Sequence, residues 1–397
     1  MNSKTEAINI IIFLGVQEGP DYYSKLFADY LSERSIAYYI ADVRKPETYL
    51  SDEFDSFALQ PNTVMFTINN AGILLREKEA NFWKKHKIPV FDHIVDHPRN
   101  FDDSLLYPEC DIFVSTLDMN HKSFIERFYP EVKEVYFMPN GGIEINKQEE
   151  YQQREIDVIY MGNCNFSNVL PNCKEFEDGG TEFYSFVSCY LLDDPMRSTE
   201  EAIEAFIKSK NILMSDSGLL DLNKKYAGYI EEMVRRHYKL EGVKALDEAG
   251  VHVQIYGKGW EDDDYRFSGN IELHRRIKRD ELMDIIGRSK ISLCFIPWFK
   301  KGCSEKNFDS MLNGALCVTD RSEYLKENYT DGYNIIYFDL NNPAQMAADI
   351  KWLLDNQEQA EIIAKRGYYT AGKHDTWNCR FDKLIEIMHD ALSDYKQ

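Results

Sequence analysis

The sequence predicts an α/β protein made of two doubly wound domains, on three observations. Short apolar runs rich in Val, Ile, Phe and Tyr alternate with longer amphipathic stretches along most of the chain. The alternation stops near residue 140 in a polar stretch and then restarts. The length of 397 residues exceeds what one hydrophobic core usually organises, and 44% hydrophobic with 13% aromatic residues supply material for two.

In the first domain, taken as residues 1–150, strands are expected at 8–15, 36–43, 63–70, 88–96, 111–116 and 134–141. Helix-like segments separate them: DYYSKLFADYLSER (21–34), ILLREKEANFWKKHK (73–87) and MNHKSFIERFY (119–129). Near-continuous apolar strands between helices mark a parallel sheet covered on both faces, a Rossmann-like arrangement. The polar stretch PNGGIEINKQEEYQQRE reads as the interdomain linker.

The second Rossmann-like domain, residues 151–370, has expected strands at 156–163, 251–260, 270–275, 290–298, 315–320 and 334–340. A long helical region covers 197–249, where Ser198 and Glu201 have capping-box spacing and Gly250 closes the last helix. Residues 164–182 read as a long loop. Residues 371–397 end the chain with a helix expected to cross back to the first domain.

A net charge of −21 and a pI near 4.9 argue against a nucleic-acid partner and against broad anchoring to anionic lipid. An anionic ligand therefore needs a local basic patch. No apolar run reaches the roughly 18 residues of a membrane span, and the N-terminus carries Glu6 and runs into a strand, so a cytoplasmic protein without an integral membrane segment is expected. The eight cysteines form no CxxC pair and read as buried thiols. The acidic runs EDDDY (261–265) and LLDDP (191–195) lack a histidine at ligand spacing, so no metal is expected.

Two facing domains of this kind hold ligands in a cleft at the carboxyl ends of their strands. In the first domain those ends carry Gly15, Asn69, Asn70 and His93, followed by Asp96 and His97. His97 is nearest the strand end and is the candidate acid/base or hydrogen-bond donor, with Asp96 to orient it; a core or capping histidine is the alternative.

The second domain offers Gly162 with Asn163, and Gly257 with Gly259, whose missing side chains let backbone approach a ligand or simply make a turn. Arg275 and Arg276 lie in HRRIKRDE, the most basic stretch, placed to meet a base or phosphate or else to open a solvated helix. In KKGCSEKNFDSMLNG, Ser304 can cap a helix from Glu305 to Asn313, closed by Gly314. Such a helix start suits a phosphate, with Lys306 beside it. Glu305 and Asp309 share a helix face, suited to sugar hydroxyls, or else serve the helix dipole and an ion pair. Asn313, at the end of this helix, and Thr319, at the next strand's end, complete the candidate binding positions.

The motifs MPNGG, YMGN, IYGKGW and DSMLNGALCVTDRSEYL together resemble the GT-B glycosyltransferases. The resemblance is to the CgeB-like, spore-maturation branch of the glycosyltransferase group 1 and family 4-like enzymes, and is strongest over about residues 250–345. It implies a nucleotide-sugar donor, with a UDP-sugar favoured, bound mainly by the C-terminal domain. It also implies a protein or glycan acceptor held by the N-terminal domain, at Gly15, Asn69, Asn70 and His93, retention of configuration, and no metal or other cofactor.

In related transferases two glutamates are separated by seven residues, the second five before a glycine. Asp309 takes the second position and would hold the donor ribose, while the first falls on Lys301. The branch's His-Asp-Arg stands here as Ser304, Glu305 and Lys306, and HDTW (374–377) is similar to its His-Thr-Trp element with one residue added. On this reading Lys306 and the helix start neutralise the departing diphosphate, with Glu305 beside them, and His97 and Asp96 meet the transferred sugar. A nucleotide-sugar 2-epimerase of the same architecture and a non-catalytic partner subunit are the alternatives.

Overall fold

The computed structural model describes residues 7–145, 149–165, 170–261 and 265–395. Parts of the expected linker (146–148), loop (166–169) and acidic run (262–264) lie outside them. The chain divides into two compact units, Met1–Asn140 with Trp377–Gln397, and Gly141–Thr376.

The first unit is a sheet of six strands: β1 (Asn9–Leu14), β2 (Ala37–Asp42), β3 (Thr63–Ile68), β4 (Val90–Ile94), β5 (Ile112–Thr116) and β6 (Glu134–Phe137). They pair in parallel in the order β2-β1-β3-β4-β5-β6. Every residue of β3, β4 and β5 is buried, which is why these strands read as continuous apolar runs. The helix Glu18–Glu33 turns Tyr23, Phe27 and Leu31 inward. Against it packs the last helix, Trp377–Tyr395, with ring centroids 4.5 Å apart for Tyr23–Trp377 and 4.8 Å for Phe27–Phe381.

One expected helix is different. Over 73–87 the chain makes a small antiparallel pair, Arg76–Glu77 with Ala80–Asn81, before a short helix Phe82–His86. Asn81 sets this break: its Oδ1 accepts the Lys84 N–H at 3.2 Å while its Nδ2 donates to the Ile73 carbonyl at 2.9 Å. A side chain that captures backbone groups on both sides competes with a continuous helix.

The second unit also has six parallel strands: β7 (Ile156–Met161), β8 (Val253–Tyr256), β9 (Ile271–His274), β10 (Ser289–Cys294), β11 (Leu316–Asp320) and β12 (Ile336–Phe338). Their order is β9-β8-β7-β10-β11-β12, so successive strands run outward from β7 on one side and from β10 on the other. The crevice between the carboxyl ends of β7 and β10 is the topological switch point, where open sheets of this kind bind ligands.

The helical region between β7 and β8 resolves into Thr181–Asp193, Thr199–Ser209, Asp216–Leu222, a π turn Asn223–Ala227, and Gly228–Glu248. The Ser198–Glu201 capping box is formed, with bonds of 2.8 and 3.2 Å. All eight cysteines are free thiols and most are buried. Among the described residues no helix is long and apolar enough to cross a membrane.

Asp92 on β4 is 1% exposed, and its Oδ1 accepts the Asn70 N–H at 3.2 Å. Burial pushes its carboxyl up to about 7, against a partial offset from the Asn70 and Asn69 backbone N–H groups. An unfolded aspartate ionises near pH 4, so the stability gained by keeping Asp92 neutral is full below about pH 4 and is lost as pH rises through 7. The urea midpoint should therefore fall between pH 5 and 8 in the wild type and fall less in Asp92→Asn; parallel slopes would place the titration elsewhere.

Candidate active site

At the switch point the turn after β7 is clamped to the turn after β8. The Gly162 N–H donates to the Tyr256 carbonyl at 3.1 Å, Cys164 N–H to the Lys258 carbonyl at 2.8 Å, and Trp260 Nε1 to the Gly162 carbonyl at 2.9 Å. A Cβ on Gly257 would stand 2.2 Å from the Gly162 oxygen, and one on Gly259, at φ +80°, 2.5 Å from the Cys164 oxygen. The two glycines of YGKGW are thus explained by backbone meeting backbone, and they brace the turn that carries Asn163.

After β10 the helix Glu305–Leu312 begins at Ser304, which is buried. The Ser304 Oγ accepts the Lys306 N–H at 3.4 Å, and Asn307 Oδ1 accepts the Ser304 N–H at 3.3 Å. Asn307 also donates to Thr319 Oγ1 at 3.1 Å, tying the helix start to β11.

One turn on, Asp309 is 2% exposed, accepts the Ile143 N–H at 2.9 Å and pairs with Arg279 at 2.5 Å. Burial pushes its carboxyl up to about 6, and Arg279 opposes that rise. Glu305 is also raised by burial, but Arg279 and Lys306 outweigh this and hold it below the ordinary value. Asn313 accepts the Ile145 N–H at 3.0 Å and donates to the Ile143 carbonyl at 2.8 Å.

Between this helix, the 162–165 turn and the helix Gly228–Glu248 lies a cavity of about 390 Å³. Gly162, Asn163 and Lys306 line it with Arg235, Arg236, Lys239 and Trp298; Glu232 is its one carboxylate. Lys306 Nζ donates to the Met161 carbonyl and Lys239 Nζ to the Asn163 carbonyl, both at 2.9 Å. Among the described residues neither lysine has a carboxylate within ion-pair distance. The Trp298 ring has the Arg235 guanidinium 4.3 Å and the Lys239 ammonium 5.0 Å from its centroid. Burial, then Lys306 and Arg235, push the Lys239 ammonium down to about 7. A concave site with four basic side chains, of which Arg235 is paired with Glu231 at 3.2 Å, suits a multiply charged anion.

Gly162, Asn163 and Lys306 are brought together here, with Ser304, Glu305, Asp309 and Asn313 along the adjoining helix and Thr319 behind it. Arg275 and Arg276 are exposed and do not line the cavity; the arginine of that basic run which enters the interior is Arg279. Sequence reasoning missed Arg235, Arg236, Lys239 and Trp298. The available signal was the spacing of Arg235 and Lys239, one helical turn apart on one face.

In the first unit, His93 is 1% exposed between Ser115 Oγ at 2.8 Å and Asn140 Oδ1 at 2.9 Å, and burial pushes it down to about 4. His97 starts a 3-10 turn, its Nδ1 accepting the Arg99 N–H at 3.2 Å, and its ring packs on His121 and Phe124. Asp96 accepts a bond of 2.9 Å from Asn69, which with Asn70 adopts positive φ. Gly15 (φ +112°) lies where a Cβ would meet Asp42 Oδ1 at 2.5 Å.

Removing one partner of a buried pair strands the other charge, at a loss of about 3–5 kcal/mol. Arg279→Ala should therefore lower the unfolding free energy by about that amount at pH 8 and by less at pH 5, where Asp309 can take up a proton. Equal losses at both pH values in denaturant titrations would exclude the buried pair as the cause.

Residues 235–386 match the family model described as Glycosyl transferase-like. A search of curated proteins finds no significant match. Among solved structures, an alpha-glucosyltransferase in complex with UDP-glucose and DNA containing an abasic site aligns with TM-score 0.55 and 13% identity, over 96% of this chain and 99% of that one. The T4 phage beta-glucosyltransferase aligns with TM-score 0.55 and 11% identity over 96% and 99%. A beta-glucosyltransferase described as a DNA modifying enzyme aligns with TM-score 0.55 and 10% identity over 96% and 100%.

These neighbours correct the expected partners. The exclusion of nucleic acid rested on net charge, a sum over the whole surface that says nothing of one face, and proteins of this fold act on DNA. Nor do they support the expected protein or glycan acceptor. The protein has the GT-B fold, and the family match and these neighbours together support a glycosyltransferase.

Proposed function

We propose that the protein transfers a hexosyl group, glucose first among candidates, from a UDP-sugar, and that the cavity at the switch point holds the donor's diphosphate. The observation that carries this reading is the pair of lysine ammonium groups, Lys239 and Lys306, held on backbone carbonyls beside Arg235 and Arg236 without carboxylate partners among the described residues. The neighbours solved with UDP-glucose supply the donor class, and those solved with DNA favour a nucleic-acid acceptor bearing a nucleophilic hydroxyl.

When the bond between the anomeric carbon and the diphosphate oxygen breaks, its electron pair stays on the diphosphate. Fixed cations at that point lower the barrier because they interact more strongly with the transition state than with the donor. Arg235, Arg236 and Lys306 supply this charge, joined by Lys239 when it is protonated, which supports a reaction without a metal. In this reading Lys306 touches the diphosphate, while Asp309, held by Arg279 and Ile143, positions the helix that carries it. Retention of configuration is proposed on the resemblance alone.

Thermal-shift measurements against UDP-, GDP-, dTDP- and CMP-sugars, with and without EDTA, test the donor site. UDP-glucose should raise Tm equally with and without the chelator. No shift with any donor would sink the reading, and a shift lost on chelation would refute the metal-free claim. Lys306→Ala should weaken UDP binding about 10-fold or more and leave uridine unchanged; equal losses would mean that Lys306 does not meet the diphosphate. Transfer to hydroxyl-bearing duplex DNA, read by labelled sugar and anomeric NMR, checks acceptor and stereochemistry, and an epimerised sugar without acceptor would favour the epimerase.

A further inference from the structure

Lys239 differs from the other cations of the cavity in its surroundings. It stands one helical turn after Arg235 on the helix Gly228–Glu248, half-buried, with its Nζ bonded at 2.9 Å to the Asn163 carbonyl. Arg235, Arg236 and Glu232 face it from its own helix, the buried Cys164 thiol from the 162–165 turn, and Lys306 from the helix Glu305–Leu312. The Trp298 ring closes the remaining side, 5.0 Å from Nζ. Three cations, of which Arg235 is paired with Glu231 at 3.2 Å, and the Glu232 carboxylate thus surround an ammonium that is partly withdrawn from water. Both effects disfavour its proton while the cavity is empty.

We propose that Lys239 is a catalytic residue that takes up a proton as negative charge builds on the departing diphosphate. The proposal rests on the cavity being the diphosphate site. The chemistry balances: the carbon–oxygen bond breaks with its electron pair on the diphosphate, and a proton from solvent joins the neutral amine of Lys239, which makes no covalent bond. A donor diphosphate ester carries one negative charge fewer than the free nucleoside diphosphate. The released product therefore reverses the repulsion at Nζ more fully than the donor does, and the site is matched to the leaving group. The Lys239 ammonium, pushed down to about 7 in the empty cavity, agrees with this geometry. An arginine there could not follow the charge, because it stays protonated.

Calorimetric titration of the full-length protein with UDP and with UDP-glucose at pH 8, in buffers of different ionisation enthalpy, measures the proton directly. The wild type should take up roughly half a proton or more with UDP and less with UDP-glucose. Lys239→Arg, which stays charged throughout the titration, should lose that uptake in whatever UDP binding it keeps. Equal uptake in Lys239→Arg and wild type, or none in wild type, overturns the proposal.

The wild type alone gives a second check, with Trp298 as fluorescent reporter: its UDP affinity should weaken about 10-fold between pH 7 and 9, above the titration of the UDP phosphate. A constant affinity over that range overturns the proposal without any variant. If wild type binds neither UDP nor UDP-glucose, the diphosphate reading fails first.

Discussion

The buried carboxylate of Asp309 is the group on which the second unit's site depends. It draws three segments to one point: its own helix, Arg279 from the preceding helix, and the chain at Ile143 where the unit begins. Asn313, one turn later, repeats the grip on the same entering segment. A charge taken out of water holds its place only if its partners have good geometry, so this knot fixes how the helix leaves β10. The position of Lys306 beside the Met161 carbonyl, and hence one wall of the cavity, follows from it.

The architecture was legible because a parallel sheet covered on both faces leaves a strong trace. Strands such as β3 and β5 are buried throughout and appear as unbroken apolar runs, and a hydrogen-bonded ladder tolerates little else there. The interrupted helix over 73–87 was not legible, since its composition favours a helix and only the Asn81 side chain, bonded in two directions, decides otherwise.

The site was half legible. Strand ends and a capped helix start can be found by pattern, and Gly162, Asn163 and Lys306 came from that. Asp309 and the YGKGW glycines were recognised as special, and the structure adds the protein's own contacts at each of them: the sequence shows that a position is constrained, not which of its neighbours constrains it. Arg235, Arg236 and Lys239 lie more than sixty residues from the 162–165 turn, beyond several intervening helices, and only the folded unit brings them there. Net charge misled in the same way, because an average over the surface hides a local reversal.

The carbonyl tethers of the two lysines have a consequence for turnover. The Lys239 and Lys306 side chains are positioned by carbonyl oxygens at the end of β7 and just after it, at Met161 and Asn163, so neither has to move into place when charge appears. On the proposed reading, the groups that ease departure of the nucleoside diphosphate from the sugar are the same ones that hold it afterwards. A transferase that worked this way would have its slow event shifted from bond cleavage toward product escape, with the spent nucleotide as its natural inhibitor.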